Sequence, residues 1–166
     1  MATIASAAAA STTVTATVTA SPPSVRPGGY FNADRSGHGL FVYPSGTDWA
    51  GLWYTYLEDG SSTWYYLQGA RPAANGLWRA TMYRSVWNGS SNTLTPVGEA
   101  SATPTGADAF TWTWTLDGQT GSEPFASFGR GCPSVAGQTV DASAHWFDPA
   151  RAGTGYSVQL IPNYEI

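Results

Sequence analysis

The chain has 166 residues, 42% hydrophobic and only 11% charged, with eight Trp, nine Tyr and six Phe, enough for one domain with a substantial core. Its seven arginines, no lysine and eleven acids leave a net charge of −4, and without clustered cations it lacks the electrostatic footprint of a nucleic-acid binder. No run approaches the roughly 20 apolar residues that span a bilayer, so membrane insertion is not expected, and the Thr, Ser, Gly and Asn that fill the polar positions point to an extracellular or cell-surface β protein.

In chain order, MATIASAAAAS at the start is small and apolar, with neither the basic n-region nor the Leu-rich h-region of a signal peptide. Ser11 to Ala20, STTVTATVTA, alternates Thr with Val or Ala at period two, the pattern of a half-buried strand. Ser21 to Gly29, SPPSVRPGG, then reads as an extended spacer. From Tyr30 onward strands are expected over Gly39 to Tyr43, Ala50 to Leu57, Thr63 to Gln68, Leu77 to Ser85, Leu94 to Ala102, Phe110 to Leu116, Pro124 to Phe128 and Tyr156 to Ile161, with PSGTD, EDGS, RPAANG, WNGSSN, PTGAD and DGQTGS as turn clusters. The fold class is all-β: an antiparallel meander forming a small β-barrel or a sandwich of about 8–10 strands. Phe110 to Leu116, FTWTWTL, is the cleanest strand, with Phe110, Trp112, Trp114 and Leu116 on the core side.

The stretch around which the chain is organised is Gly51 to Gly69, GLWYTYLEDGSSTWYYLQG, read as a β-hairpin. A two-residue Asp59-Gly60 turn puts Trp53 and Thr55 on one side with Trp64 and Tyr66, and Leu52, Tyr54 and Tyr56 on the other with Tyr65 and Leu67. A three-residue loop shifts the pairing by one position and still leaves aromatics on both sides. One side is core, and the other needs a partner, a ligand or a second layer. Trp53, Tyr54, Tyr56, Trp64, Tyr65 and Tyr66 are therefore candidate binding residues, suited to stacking on sugar rings or anchoring protein contacts.

The chain also repeats itself. YFNADRSGHGLFVY, Tyr30 to Tyr43, aligns without gaps on WFDPARAGTGYSVQ, Trp146 to Gln159, at an offset of 116 residues, with five identities in fourteen and the Arg-x-Gly-x-Gly spacing intact. The domain division that follows is 1–29 as strand segment plus linker, 30–145 as the main β domain of one repeat, and 146–166 as the start of a second repeat or a closing strand. Arg35 is a further candidate, either for an anion or, as the stronger reading, for loop carbonyls or a ring such as Tyr30.

An aromatic-Phe-Asn/Asp-x-x-Arg-x-Gly-x-Gly turn followed by WYTY and TWYYLQG strands resembles β-repeat modules of secreted proteobacterial proteins, over about Tyr30 to Gly131. The resemblance implies no activity and no site residues. GGYFN, Gly28 to Asn32, is similar to the opening of avidin-like barrels, a match too short to carry biotin binding over.

No reaction chemistry stands out. His38 and His145 lack zinc-ligand spacing, Glu58 and Asp59 are adjacent at a turn, and Asp48, Glu99, Asp108, Asp117, Glu123 and Asp141 fall mostly in turn-like segments. The lone Cys132 reads as a small buried hydrophobe. The expectation is a non-catalytic extracellular interaction or structural module without cofactor or metal, a repeat unit that assembles or adheres through free β edges and an aromatic surface. Its expected partners are other copies of itself, a larger parent protein or glycans, with a carbohydrate-binding module as the alternative and a glycosidase or esterase as the remote one.

Overall fold

The computed structural model describes residues 23–73, 75–151, 154–162 and 164–165; the strand expected over Ser11 to Ala20 lies outside them. Eight strands wind in chain order into a closed antiparallel barrel: β1 (Gly28–Phe31), β2 (Gly39–Ser45), β3 (Asp48–Tyr56), β4 (Ser62–Ala70), β5 (Trp78–Trp87), β6 (Asn92–Gly106), β7 (Ala109–Leu116) and β8 (Gln119–Ser127). The architecture left open between barrel and sandwich is a barrel, which removes the exposed sheet edges that a sandwich leaves. Three small two-stranded pieces follow, β9 (Ser134–Val135) with β10 (Gln138–Thr139), β11 (Ala144–Phe147) with β12 (Gly155–Val158), and β13 (Leu160–Ile161) with β14 (Tyr164–Glu165).

Alternation along the strands fills the barrel with rings. Trp53, Trp78, Trp112, Tyr30, Phe110 and Phe125 are fully buried beside Leu40, Leu67, Met82 and Val42. Trp112 sits at their centre, with ring centroids 6.1 Å from Trp53, 6.5 Å from Trp78 and 6.3 Å from Phe125. Each such side chain contributes about 1.5–3 kcal/mol by leaving water. FTWTWTL behaves as its pattern predicts, with Phe110 and Trp112 buried and Trp114 and Leu116 packed against the core cluster.

The barrel closes where β1 meets β8 through Tyr30↔Ser127 and Phe31↔Ala126. Arg130 fastens this seam: its guanidinium donates to Pro27 O at 2.9 Å, to the Tyr30 hydroxyl at 2.6 Å and to the Asp108 carboxylate at 2.6 Å. Val25, placed by the sequence in a spacer, is buried in the core cluster and donates its N–H to Gly76 O. The barrel therefore claims the second half of that spacer.

Two expectations need correction. The Asp59-Gly60 hairpin has a five-residue loop, Leu57 to Ser61, closed by Leu57 N–H to Ser61 O and by Asp59 Oδ1 accepting from the Ser61 amide and hydroxyl. The odd length sets Trp53 opposite Tyr65 and Tyr54 opposite Trp64, so Trp53 shares the inner side with Tyr65 and Leu67 rather than with Trp64 and Tyr66. The two-residue turn occurs instead at Asp117-Gly118, whose φ values of 48° and 83° suit a type I′ hairpin. β8 consequently begins at Gln119, within what was read as a turn cluster. Gly121 in this strand makes room for an indole, since a Cβ there would stand 2.2 Å from Trp114 Cζ2.

Candidate functional site

The two segments aligned in the sequence also pair alike, at the same offset of 116. β1 and β2 pair as Gly28↔Val42 through Phe31↔Gly39, and β11 and β12 as Ala144↔Val158 through Phe147↔Gly155. The connecting turns carry the same bonds: Asn32 N–H to His38 O, Arg35 N–H to Asn32 O and His38 N–H to Arg35 O in one; Asp148 to Thr154, Arg151 to Asp148 and Thr154 to Arg151 in the other. Asn32 Oδ1 accepts from the Asp34 amide as Asp148 Oδ1 does from Ala150. The Tyr30 hydroxyl donates to Arg26 O at 2.7 Å, and the Trp146 indole to Ala142 O, also at 2.7 Å. A Cβ on Gly39 would stand 3.0 Å from Tyr30 O, and one on Gly155 2.6 Å from Trp146 O, which explains why the last glycine of the motif recurs. The match runs on into the next turn, because Ile161↔Tyr164 and Leu160↔Glu165 occupy the places of Ser45↔Asp48 and Pro44↔Trp49.

The surroundings of the two motifs differ. At the N-terminal motif, Glu123 of β8 points into the barrel mouth with its side chain 3% exposed. Its Oε2 accepts from Asn32 Nδ2 at 2.8 Å, lies 3.4 Å from Arg35 Nη1 and lies 3.5 Å from His38 Nδ1, which is itself 3.3 Å from Thr55 Oγ1. The motif thereby locks β1 and β2 onto the closing strand. Arg35, expected at loop carbonyls or on Tyr30, instead reaches this buried carboxyl group while remaining half-exposed. At the C-terminal motif Arg151 Nε lies 3.3 Å from Asp148 Oδ2 of its own turn.

The β11–β12 hairpin docks on the outer surface of β2 and β3. The Tyr43 hydroxyl donates to Val158 O at 2.9 Å, the His145 ring meets Tyr43 edge-on at 5.2 Å, and the Tyr54 and Ser157 hydroxyls are 3.4 Å apart. Gln159, buried at 4% exposure, accepts from the Gly29 N–H through Oε1 and donates to Gly129 O at 3.0 Å through Nε2. Burial, reinforced by the Asp141 charge, pushes the Tyr43 hydroxyl up to about 12, and burial lowers the His145 imidazole. A small cleft of about 140 Å³ beside Gln159 is lined in part by Tyr43 and Cys132. Cys132 is thus a half-buried free thiol rather than a core hydrophobe.

The candidate aromatics separate by face. Trp53 and Tyr65 are buried at 2% and 3% exposure and belong to the core. Tyr54, Tyr56, Trp64 and Tyr66 lie on the outer side, with Tyr56 and Trp64 exposed. They extend an outer belt in which Phe31 stacks on Phe128 at 5.0 Å, Phe41 meets Tyr54 at 6.2 Å and Tyr66 meets Tyr83 at 6.0 Å. A polar groove of about 360 Å³ lies further round, across β4 to β7, where Gln68, Arg79, Thr81, Glu99, Ser101 and Thr113 line it. Its lining does not include the exposed Trp64 or Tyr56, so the groove and the aromatic platform are separate features. Among the described residues no group of three or more His, Cys, Asp and Glu is placed to hold a metal ion.

No family model matches the chain, and neither the curated proteins nor the solved structures contain a match to it.

Proposed function

We propose that this protein is a non-catalytic interaction or structural module of an extracellular or cell-surface protein, a repeat unit that assembles through its outer aromatic face. The observation that carries this reading is the docked C-terminal hairpin: a motif with the backbone of the barrel's own opening strands rests on the outer face of the barrel through Tyr43, Tyr54 and Gln159. A surface that receives a piece of one barrel in this way is suited to receive others. The belt continues past the hairpin to Trp64 at 44% exposure, and exposed Trp and Tyr anchor protein contacts efficiently. Light scattering across a concentration series tests the reading: the chain should associate reversibly, and Trp64→Ser with Tyr66→Ser should weaken the association at least tenfold. A chain that stays monomeric at every concentration counts against it.

A second reading takes the same platform as a carbohydrate-binding surface, because Trp64, Tyr66 and Tyr83 present rings outward from adjacent strands. Retention on a polysaccharide that Trp64→Ala abolishes would favour it, and no retention on a broad glycan array would remove it.

A further inference from the structure

The two motifs share a backbone and differ in what covers them. In the N-terminal motif the inward side chains Tyr30, Leu40 and Val42 are 1%, 0% and 0% exposed. Their counterparts by the offset of 116 are Trp146, Tyr156 and Val158, of which Trp146 is 55% and Tyr156 73% exposed. Phe147, the counterpart of Phe31, is 76% exposed. Trp146 and Tyr156, directly opposite each other across the hairpin, form an apolar patch of the kind that marks an interaction surface. The opposite face carries His145, Ser157 and, by strand alternation, Phe147; His145 and Ser157 contact the first barrel, so Trp146 and Tyr156 point away from it.

The first barrel shows what such a face receives. β2 is paired along its other edge by β3, from Gly39↔Tyr54 to Ser45↔Asp48, and β1 is closed by β8. In the C-terminal motif, β14 already stands where β3 begins, in the same register. Among the described residues β12 pairs with β11 alone. Two hairpins from separate molecules laid face to face would cover the rings but would give β14 no reason to adopt the β3 register.

We propose that residues 142–165 are the opening of a second barrel of the same architecture, that the Trp146/Tyr156 face is covered by a β3-to-β8-type sheet continuing from β14, and that the two barrels pack side by side across Tyr43, Tyr54 and Gln159. This rests on the repeat-module reading and names the partner of its C-terminal surface. The strand continuing from β14 pairs with β12 and carries large and small inward residues in the places of Trp53 and Gly51. The contact between barrels is the one already made, with the Gln159 amide on Gly29 and Gly129 and the Tyr43 hydroxyl on Val158.

The test extends the 166-residue chain with a second set of residues 51–127 placed directly after Ile166, which keeps the offset of 116 unbroken. Hydrogen exchange of amides 144–158 should slow by on the order of 100-fold or more as an isolated hairpin becomes part of a cooperative sheet. Tyr156→Ser in the extended chain should abolish that gain and leave the first barrel's exchange unchanged. An extension that folds while 144–158 exchanges as before overturns the proposal. Should the extension fail to fold, the unextended chain decides: a dimer that Trp146→Ser dissolves makes a second molecule the occupant and overturns the proposal, whereas a Trp146 open to acrylamide quenching at all concentrations supports it. The outcome is independent of association through Trp64 and Tyr66, so this inference and the reading beneath it fail separately.

Discussion

The described residues of segments 26–49 and 142–165 pair and turn alike, yet one segment lines the interior of a barrel and the other carries its rings in solvent. The difference separates what a motif does locally from what its surroundings add. The turn bonds, the Asx bond from Asn32 or Asp148, the ring-to-carbonyl bond and the close approach at Gly39 or Gly155 are all internal to the segment. They recur in both segments although the surroundings differ. Burial of Tyr30 and Leu40, and the grip of Asn32 and Arg35 on Glu123, require strands β3 to β8. A two-stranded hairpin alone is marginal in water, so the C-terminal motif depends on its footing on the barrel.

The comparison can be broken most severely in the core. Trp53→Ala should cost about 3–5 kcal/mol in chemical denaturation, while Trp64→Ala, on the outer side of the same hairpin, should stay within about 0.5 kcal/mol. Equal effects would contradict the observed register. Leu40→Ala should cost about 2–5 kcal/mol, and its counterpart Tyr156→Ala should leave the barrel's unfolding midpoint almost unmoved. Glu123→Ala strands the buried Asn32 amide and should cost about 1–3 kcal/mol; Asp148→Ala should not register in barrel unfolding.

The smallest effect is a pH dependence confined to the docked hairpin. Burial lowers the His145 imidazole below its ordinary 6.5, so the undocked state binds the proton more readily than the docked one. Docking is then fully favoured above 6.5 and weakens as pH falls below it, until the docked state also titrates. Chemical shifts of Ser157 and Val158 between pH 7.5 and 5 should report the loosening, and His145→Gln should remove it. Shifts that are flat in the parent chain would contradict this footing.

Much of this organisation is legible in the residues. Period-two runs such as FTWTWTL specify inner and outer faces directly, and the last glycine of the Arg-x-Gly-x-Gly spacing is kept in both copies where a Cβ would meet the facing carbonyl. The register of the aromatic hairpin is not legible, since it turns on whether Asp59 bonds Ser61 and lengthens the loop by an odd number. β1 and the start of β8 are hidden by Gly28-Gly29 and by Gln119 to Glu123, where glycine and polar residues imitate a linker and a turn. With the start of β8 hidden, Glu123 does not stand out as the buried group that holds Asn32, although the alternation Gly121, Glu123, Phe125 carries that signal. The contacts of Gln159 and Tyr43 are not legible because they span 130 and 115 residues, a separation that no local pattern encodes.

The most direct test of the two-motif account is residue-resolved hydrogen exchange on the 166-residue chain, comparing Leu40 and Val42 with Tyr156 and Val158. The barrel amides should exchange only through global unfolding, and their C-terminal counterparts on the order of 100-fold faster or more, through local opening. Equal protection at both motifs would contradict the account, because it would mean that the C-terminal hairpin is already as fully supported as the strands it repeats.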